Sequence, residues 1–279
     1  MAMNKLGLLQ GVRRATISPA ILRAAQLIRQ CGAQVLSDCA ELADGEAMAR
    51  EAVIEKSDAL IVCGGDGSIL SVARCAAVHG VPVLGANFGQ LGFLSEVDAA
   101  GLEQAVPRLV SGDFSIEKRL MLRAQWRDQQ ITALNDIVVR GESSLAVVRA
   151  DVSVDGQLLD HYVADGILVS TPTGASAYAL SCGGPIVHPQ LECLSMTAIC
   201  PHSLRARPVL LAPRQRIAVS VASRSLPAII CADGQDIIHM DAAEPVCIER
   251  APLDAQLIRL GSRDFFSMVH AKLVDRTLR

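Results

Sequence analysis

The chain changes its pattern once, near residue 112, and that change limits the folds open to it. Up to there, strand-like and helix-like segments alternate. "KLGLLQ" reads as a short apolar strand. Ser18 and Pro19 then supply an N-cap and a first-turn proline to a helix that runs to Cys31 and stops at Gly32. "AQVL" is a second strand and Glu46 to Lys56 a second helix; "ALIVC" is a third strand, followed by a helix ending at Gly80; "VPVLGAN" is a fourth strand. Such alternation indicates βαβ units on a parallel sheet. From Phe114 the segments are short and β-rich: "SIEKRLMLRAQW", "ITALNDIVV", "VVRADVSVDG" and "RIAVSVAS", with turn signals such as Asp155-Gly156 between them. Period-two alternation there predicts an antiparallel β domain. The ending "RDFFSMVHAKLVDRTLR" returns to helical spacing, with Phe265, Met268, Val269 and Leu273 along one face. A helix apolar on one side needs a surface to cover, and the first domain's sheet is the candidate. The expected division is 1–112, 113–262 and a terminal helix over 263–279.

Composition narrows the partners. A length of 279 residues suits about two domains at roughly 150 residues each, and 51% hydrophobic content allows a core in both. A net charge of −3 with 3% aromatics argues against nucleic acid, which calls for a basic stripe and stacking rings. No apolar run approaches the ~18 residues of a membrane helix, so no membrane partner is expected. The opening "MAMNKLGLLQG" is too soon interrupted for a signal peptide. Nine cysteines form no C-x-x-C pair, and most, such as Cys63, Cys200 and Cys231, sit in apolar strand-like runs; buried free thiols in a reducing, cytoplasmic setting are expected. The six histidines are dispersed, so no metal cage of protein ligands is expected.

The third predicted strand runs into Gly64-Gly65-Asp66-Gly67 and then Ser68, where a helix begins. A glycine-rich strand-to-helix turn lets backbone amides approach a phosphate closely. A carboxylate there has two uses: to take the proton of an attacking hydroxyl, or to hold a magnesium ion that neutralises phosphates. Read alone, the same aspartate is an ordinary helix N-cap.

Four other segments break their local rule. "ANFGQLGF" (86–93) places two glycines and two phenylalanines past a strand's C-terminal end, where open α/β sheets bind ligands. Asn135-Asp136 puts a polar pair in the middle of an apolar strand, which is costly unless hydrogen-bonded. "ADGILVSTPTGASAYALSCGGPIVHP" (164–189) clusters the hydroxyls of Thr171, Thr173, Ser176 and Ser181 at a helix start, with Tyr178 as a flat face for a ring. "CADGQ" (231–235) reads as a hairpin turn when taken alone.

Together these segments, with "CPHSLRARPVLL" and "DFFSMVHAKL", resemble the NAD kinase family, in family order and over nearly the whole chain. The glycine–aspartate turn alone is shared with lipid kinases and phosphofructokinases; its combination with the Thr-Pro-Thr-Gly segment is specific. The resemblance implies a Rossmann-like α/β N-terminal domain, a β-sandwich-like C-terminal domain, and a tail returning to the first domain. It implies transfer of the γ-phosphoryl group of ATP to the 2′-hydroxyl of the adenosine ribose of NAD, with Mg2+ or another divalent cation. An NAD site between domains and a cytoplasmic homo-oligomer, dimer or tetramer, follow from the same likeness. By motif, Asp66 is the candidate base, with Gly67 beside it and Gly64, Gly65, Gly67 and Ser68 as the phosphate loop. Phe93, Asn135, Asp136, Asp165, Thr173, Ser176, Ala177, Tyr178, Ala179, Leu180, Ser181 and Gln235 are the candidate NAD contacts: Asn135 and Asp136 for the adenosine end, Asp165 for the far end.

Three departures stand out. The family usually has Asn-Glu where Asn135-Asp136 stands, so this carboxylate is a methylene shorter. Gly174-Ala175-Ser176-Ala177 replaces the usual Gly-Ser-Thr-Ala. Tyr162 and Val163 stand where many members carry a basic residue before the Asp-Gly. A lipid kinase, a nucleotide sensor without catalysis and an NADP phosphatase are the rival readings. The first would need a groove for a lipid and a way to meet a membrane, and no basic amphipathic helix is present.

Overall fold

The computed structural model describes residues 3–11, 17–89, 92–143, 145–261 and 264–273. It separates into two compact units, Met1–Lys118 with Ala255–Arg279, and Arg119–Asp254. These divisions fall later than 112 and earlier than 262. Two long strands, β6 (Ser115–Trp126) and β17 (Val246–Arg259), run through them, so a single strand begins in one unit and ends in the other.

The first unit alternates β1 (Lys5–Gln10), α1 (Pro19–Gln30), β2 (Gln34–Leu36), α2 (Arg50–Lys56), β3 (Ala59–Cys63), α3 (Asp66–His79), β4 (Val83–Asn87), β5 (Val97–Asp98) and α4 (Leu102–Ser111). The strands are parallel in the order β2-β1-β3-β4, and β5 and the end of β17 each pair with β4. The apolar runs face both sides of this sheet. Leu6, Leu8, Ile61, Leu84 and Ile258 form one core with Ile21 and Ile28 of α1 and Leu102 and Leu109 of α4. Helix α1 ends as its sequence requires, with Gly32 in the left-handed region at φ 86°. The second helix is shorter than expected. The Met48 amide donates to the Ser37 carbonyl, which ties residues 46–49 to the chain after β2 and delays the helix to Arg50. The fourth strand starts at Val83 because Val81 still donates to Ala76 and Pro82 has no amide proton.

The returning segment of this unit is pinned by a buried carboxylate. Glu96 is 2% exposed, accepts the Leu260 amide at 2.8 Å and pairs with Arg259 at 3.2 Å; Arg259 also pairs with Glu117. Beyond it, α6 (Phe265–Leu273) half-buries Phe265, Met268 and Val269, and the Phe265 ring lies 6.5 Å from that of Phe93. The Leu273 side chain and residues 274–279 lie outside the described residues.

The second unit is antiparallel. One sheet runs β13 (Val209–Leu211), β12 (Leu194–Ile199), β11 (Gly166–Ser170), β8 (Asp136–Gly141), β15 (Ala228–Ala232), β16 (Asp236–Met240). Another set pairs β10 (Gln157–Ala164), β9 (Val148–Val154), β14 (Ile217–Val221) and the first part of β17, and β6 pairs with β7 (Gln129–Ala133). Asp155-Gly156 joins β9 to β10 with both residues at positive φ, the two-residue turn that suits strand twist. Alternation decides which side chains meet. Ile137, Val139, Ile167, Val169, Leu194 and Met196 enter the main core of this unit. Their neighbours Val138, Leu168 and Ile199 face the other side, where they pack with Ala179 of the short helix α5 (Tyr178–Ser181). That second face carries the candidate site.

"ITALNDIVV" is two strands, not one. The chain bends at Leu134 and Asn135, between β7 and β8, so the polar pair sits at a bend and a strand start. The expected burial of the cysteines holds for Cys63 alone. All nine are free, but Cys31, Cys75 and Cys200 are exposed and the other five half-buried. No helix among the described residues is long and apolar enough to cross a membrane.

Candidate active site

The first half of the site belongs to the α/β unit. Strand β3 ends at Cys63, and the Gly64 amide donates to the Ala86 carbonyl at 2.9 Å, so the turn leaves the sheet at the C-terminal edge of the strands. Glycine is required there by contact. A Cβ on Gly11 would stand 1.9 Å from Ser68 Oγ, and one on Gly64 would stand 2.9 Å from it. Gln10, Ser18, Cys63, Gly64, Gly65, Ser68 and Phe88 enclose a small cleft of about 90 Å³. The first amides of α3, at Asp66 and Gly67, lie in the turn of a helix that has no intrahelical acceptor for them.

Asp66 does not cap its own helix: no side-chain cap bond forms at the start of α3. Its carboxylate instead accepts the Phe93 amide at 2.8 Å and the Leu94 amide at 3.2 Å. Gly92 makes this possible, since a Cβ there would lie 1.7 Å from Asp66 Oδ1. Each carboxylate oxygen has a second lone pair, so the group still has acceptor capacity for a hydroxyl or a cation. The glycine turn and the "NFGQLGF" loop are thus one assembly centred on Asp66, with Gln90 and Leu91 of that loop outside the described residues.

The second half belongs to the β unit, on the second face of the β11–β8 sheet. A cavity of about 660 Å³ is lined by Asn135, Asp136, Val138, Arg140, Asp165, Ala177, Tyr178, Ile199, Cys200, Cys231, Asp233 and Ile237, together with Ser143, Ala146 and Gly234. Period two explains the row Asp136, Val138, Arg140: once Ile137 and Val139 enter the core, these three face the cavity. Tyr178 is 45% exposed and Asp165 also reaches solvent, whereas Asp136 is 6% exposed. Burial, and then the negative charge of Asp233, push the Asp136 carboxyl up to about 7. No hydrogen bond to that carboxyl group forms among the described residues.

The bend carrying Asn135 is held by the Thr-Pro-Thr-Gly turn. Thr171 donates its amide to the Asn135 carbonyl at 2.9 Å and its hydroxyl to the Leu134 carbonyl at 2.6 Å. The Thr171 hydroxyl in turn accepts the Gly174 amide at 3.1 Å. Gly174 packs so tightly that a Cβ would lie 2.2 Å from the Asn135 carbonyl oxygen. Arg119 donates to the Thr173 hydroxyl at 3.2 Å, and Ser176 donates to the Thr173 carbonyl at 3.2 Å. The hydroxyl cluster is therefore largely internal carpentry: Thr171, Thr173 and Ser176 build the turn rather than line the cavity.

Of the candidate contacts, Asn135, Asp136, Asp165, Ala177 and Tyr178 converge on the cavity. Ala179 is buried against Val138, Leu168 and Ile199, and Leu180 and Ser181 do not line the cavity. Gln235 is exposed and does not line the cavity. Asp66, Gly67 and Phe93 belong to the other unit. Two important residues lacked a local signal. Arg140 follows from strand alternation once Asp136 is placed. Asp233 lies in the hairpin turn and bonds to residues nearly a hundred positions earlier, which no spacing rule reveals.

Comparison with known proteins shows the family. Residues 21–114 match the ATP-NAD kinase N-terminal domain and residues 134–260 the ATP-NAD kinase C-terminal domain. An NAD kinase of Moorella thermoacetica is 36% identical over 281 residues, covering 98% of this chain and 90% of that protein. An NAD kinase of Heliobacterium modesticaldum is 41% identical over 225 residues, 79% of this chain and 80% of the other. In fold, the chain is similar to yeast NADH kinase complexed with NADH, with a TM-score of 0.86 at 23% identity over 100% of this chain and 89% of that one. It is also similar to an NAD kinase from Archaeoglobus fulgidus in complex with ATP, with a TM-score of 0.81 at 24% identity over 96% and 99% of the two chains. The chain belongs to the NAD kinase family of phosphotransferases.

Proposed function

We propose that this chain's residues carry out the family reaction as follows. The acceptor NAD lodges its adenosine end in the cavity of the β unit, with the Tyr178 ring as a stacking face and Asn135 and Asp136 as hydrogen-bonding partners. Asp165 serves the far end of the dinucleotide. The 2′-oxygen attacks the γ-phosphorus of ATP, the bond from that phosphorus to the β–γ bridging oxygen breaks, and ADP leaves. Asp66 accepts the proton of the 2′-hydroxyl, while the glycine-turn amides beside it meet phosphate oxygens. Such transfer is mostly positioning and electrostatics, which suits one carboxylate beside glycine amides.

A divalent cation fits this donor set. Magnesium is commonly held by one or two carboxylates together with phosphate oxygens and water, and Asp66 keeps one lone pair on each oxygen. Bound there, the ion would neutralise charge on the triphosphate. A cytoplasmic homo-oligomer belongs to the same reading, supported for the compartment by nine unpaired thiols.

The observation that carries the acceptor assignment is the 660 Å³ cavity with Asn135, Asp136, Asp165 and Tyr178 on its wall. Its size falls within the roughly 300–1,000 Å³ of small-molecule sites. The test is purified protein with NAD, ATP and magnesium, with NADP read through a coupled NADP-specific dehydrogenase. NADP formation is expected. Phosphorylation of a lipid or sugar instead, with NAD left untouched, would overturn the reading.

A further inference from the structure

The bend that carries Asn135 and Asp136 is held from a second side, by the hairpin between β15 and β16. Asp233 there adopts a left-handed conformation, φ 52°, which aspartate tolerates better than most residues. Its Oδ1 accepts the amides of Asn135 at 2.7 Å and Asp136 at 3.2 Å, and its Oδ2 accepts the amide of Leu134 at 2.9 Å. The Asp233 amide returns a bond to the Asp136 carbonyl at 3.0 Å. Three consecutive amides converging on one carboxylate form an anion nest. With the Thr171 bonds on the opposite side, the carbonyls of Leu134 and Asn135 and the amides of Leu134 to Asp136 are all engaged by other elements. The main chain at the bend is thus bonded to other elements on two sides, and its two side chains, Asn135 and Asp136, reach the cavity.

We infer that Asp233 is a positioning residue of the acceptor site, setting the direction in which Asn135 and Asp136 face the cavity. This rests on the reading of the cavity as the NAD site. Asp233 acts through those two residues.

Its charge is the second element of the design. The Asp233 carboxylate is bonded to the Asp136 amide, and the other ionisable groups on the cavity wall are Arg140 on the same strand, Asp165, Tyr178, Cys200 and Cys231, with Cys182 close by. Of these, Asp233 is the one whose charge adds to burial in holding the proton on Asp136. A ribose hydroxyl donating to Asp136 favours the ionised form, so acceptor binding releases a proton near neutral pH. Removing the Asp233 charge lets Asp136 ionise at lower pH.

Asp233→Asn keeps size and tolerance of the left-handed turn but removes the charge, and it places an amide nitrogen against one of the three donors. The Michaelis constant for NAD is expected to rise about tenfold, with kcat and the constant for ATP within about twofold of wild type. The inflection of the NAD constant against pH is expected to move to lower pH. A purely architectural aspartate would lower thermal stability and change all kinetic constants together, without moving that inflection. An Asp233→Asn enzyme with an unchanged NAD constant and an unchanged inflection would overturn the inference while leaving the NAD reading intact. A wild-type protein that makes no NADP and binds no NAD in calorimetry would overturn both. A third measurement needs no variant: amide hydrogen exchange at Leu134, Asn135 and Asp136 is expected to be slow in the wild-type protein, and exchange at the rate of an open loop would remove the anchor.

Discussion

Gly92 and Asp66 touch so closely that any side chain on the first displaces the second: a Cβ at Gly92 would fall 1.7 Å from Asp66 Oδ1. The atoms in the way are the end of a side chain, not backbone, so the fold can yield while the carboxylate cannot stay. Gly92→Ala is therefore predicted to remain folded and to lose activity by roughly the factor that removing a general base costs, ~10²–10⁴. Circular dichroism and a thermal melt would check the fold. Full activity in Gly92→Ala would separate Asp66 from the chemistry.

Asp66→Asn addresses the carboxylate itself. If it takes the 2′-hydroxyl proton, kcat should drop ~10²–10⁴ while NAD binding changes much less, since an amide oxygen still accepts a hydrogen bond. The amide also sets an N–H against the amide of Phe93 or Leu94, so some loss of stability is expected alongside. If Asp66 chiefly holds magnesium, the variant should show weakened apparent affinity for Mg-ATP and partial recovery at high magnesium. Titrating magnesium in the same assay distinguishes the two.

The raised Asp136 carboxyl makes stability depend on pH. Its folded value of about 7 lies above the ordinary 3.8, so the folded chain holds a proton that the unfolded chain releases. That contribution is complete below the unfolded value and is lost as pH rises through the folded one. Ligand-free protein should thus lose stability, on the order of a few kcal/mol, between about pH 4 and about pH 7. Urea unfolding of wild type and Asp136→Asn at several pH values checks this. The variant should show a flatter profile, and an identical profile would mean that Asp136 ionises normally.

Asp136→Glu tests the shortened side chain. The residue lines a cavity, so an added methylene has space on that side. The NAD constant should stay level or improve if Asp136 bonds a ribose hydroxyl directly. Contact through a bridging water would instead make the longer side chain cost up to about 2 kcal/mol. Isothermal calorimetry with NAD, repeated on Asp136→Ala as the null comparison, separates these outcomes.

Gly174→Ala should be costly for a different reason from Gly92→Ala. The obstructing atoms are the Asn135 carbonyl oxygen, carbon and Cα, at 2.2, 2.5 and 2.7 Å, so backbone must move. Overpacking of this kind typically costs ~1–3 kcal/mol, and here it displaces the bend that presents Asn135. A lowered melting temperature together with a raised NAD constant is the expected pair; either one alone would uncouple the turn from the site.

The amino-acid sequence by itself determined the elements and the chemistry available to them. The switch from α/β alternation to period two, the left-handed stops at Gly32 and Gly80, and the glycine turn with its aspartate all follow from local spacing, because helix and strand periods act over a few residues. Tertiary structure decided what each polar group bonds to. Asp66 reads locally as a helix cap and is in fact bound to Phe93 and Leu94. Asn135 reads as a buried polar fault in a strand and is in fact at a bend closed by Thr171 on one side and Asp233 on the other. Thr173 and Ser176 read as ligand donors; in the fold the Thr173 hydroxyl accepts from Arg119 and the Ser176 hydroxyl donates to the Thr173 carbonyl. A hydrogen bond needs about 3 Å between two atoms and has no regard for sequence separation, so partners far apart in the chain are fixed only when the sheets pair.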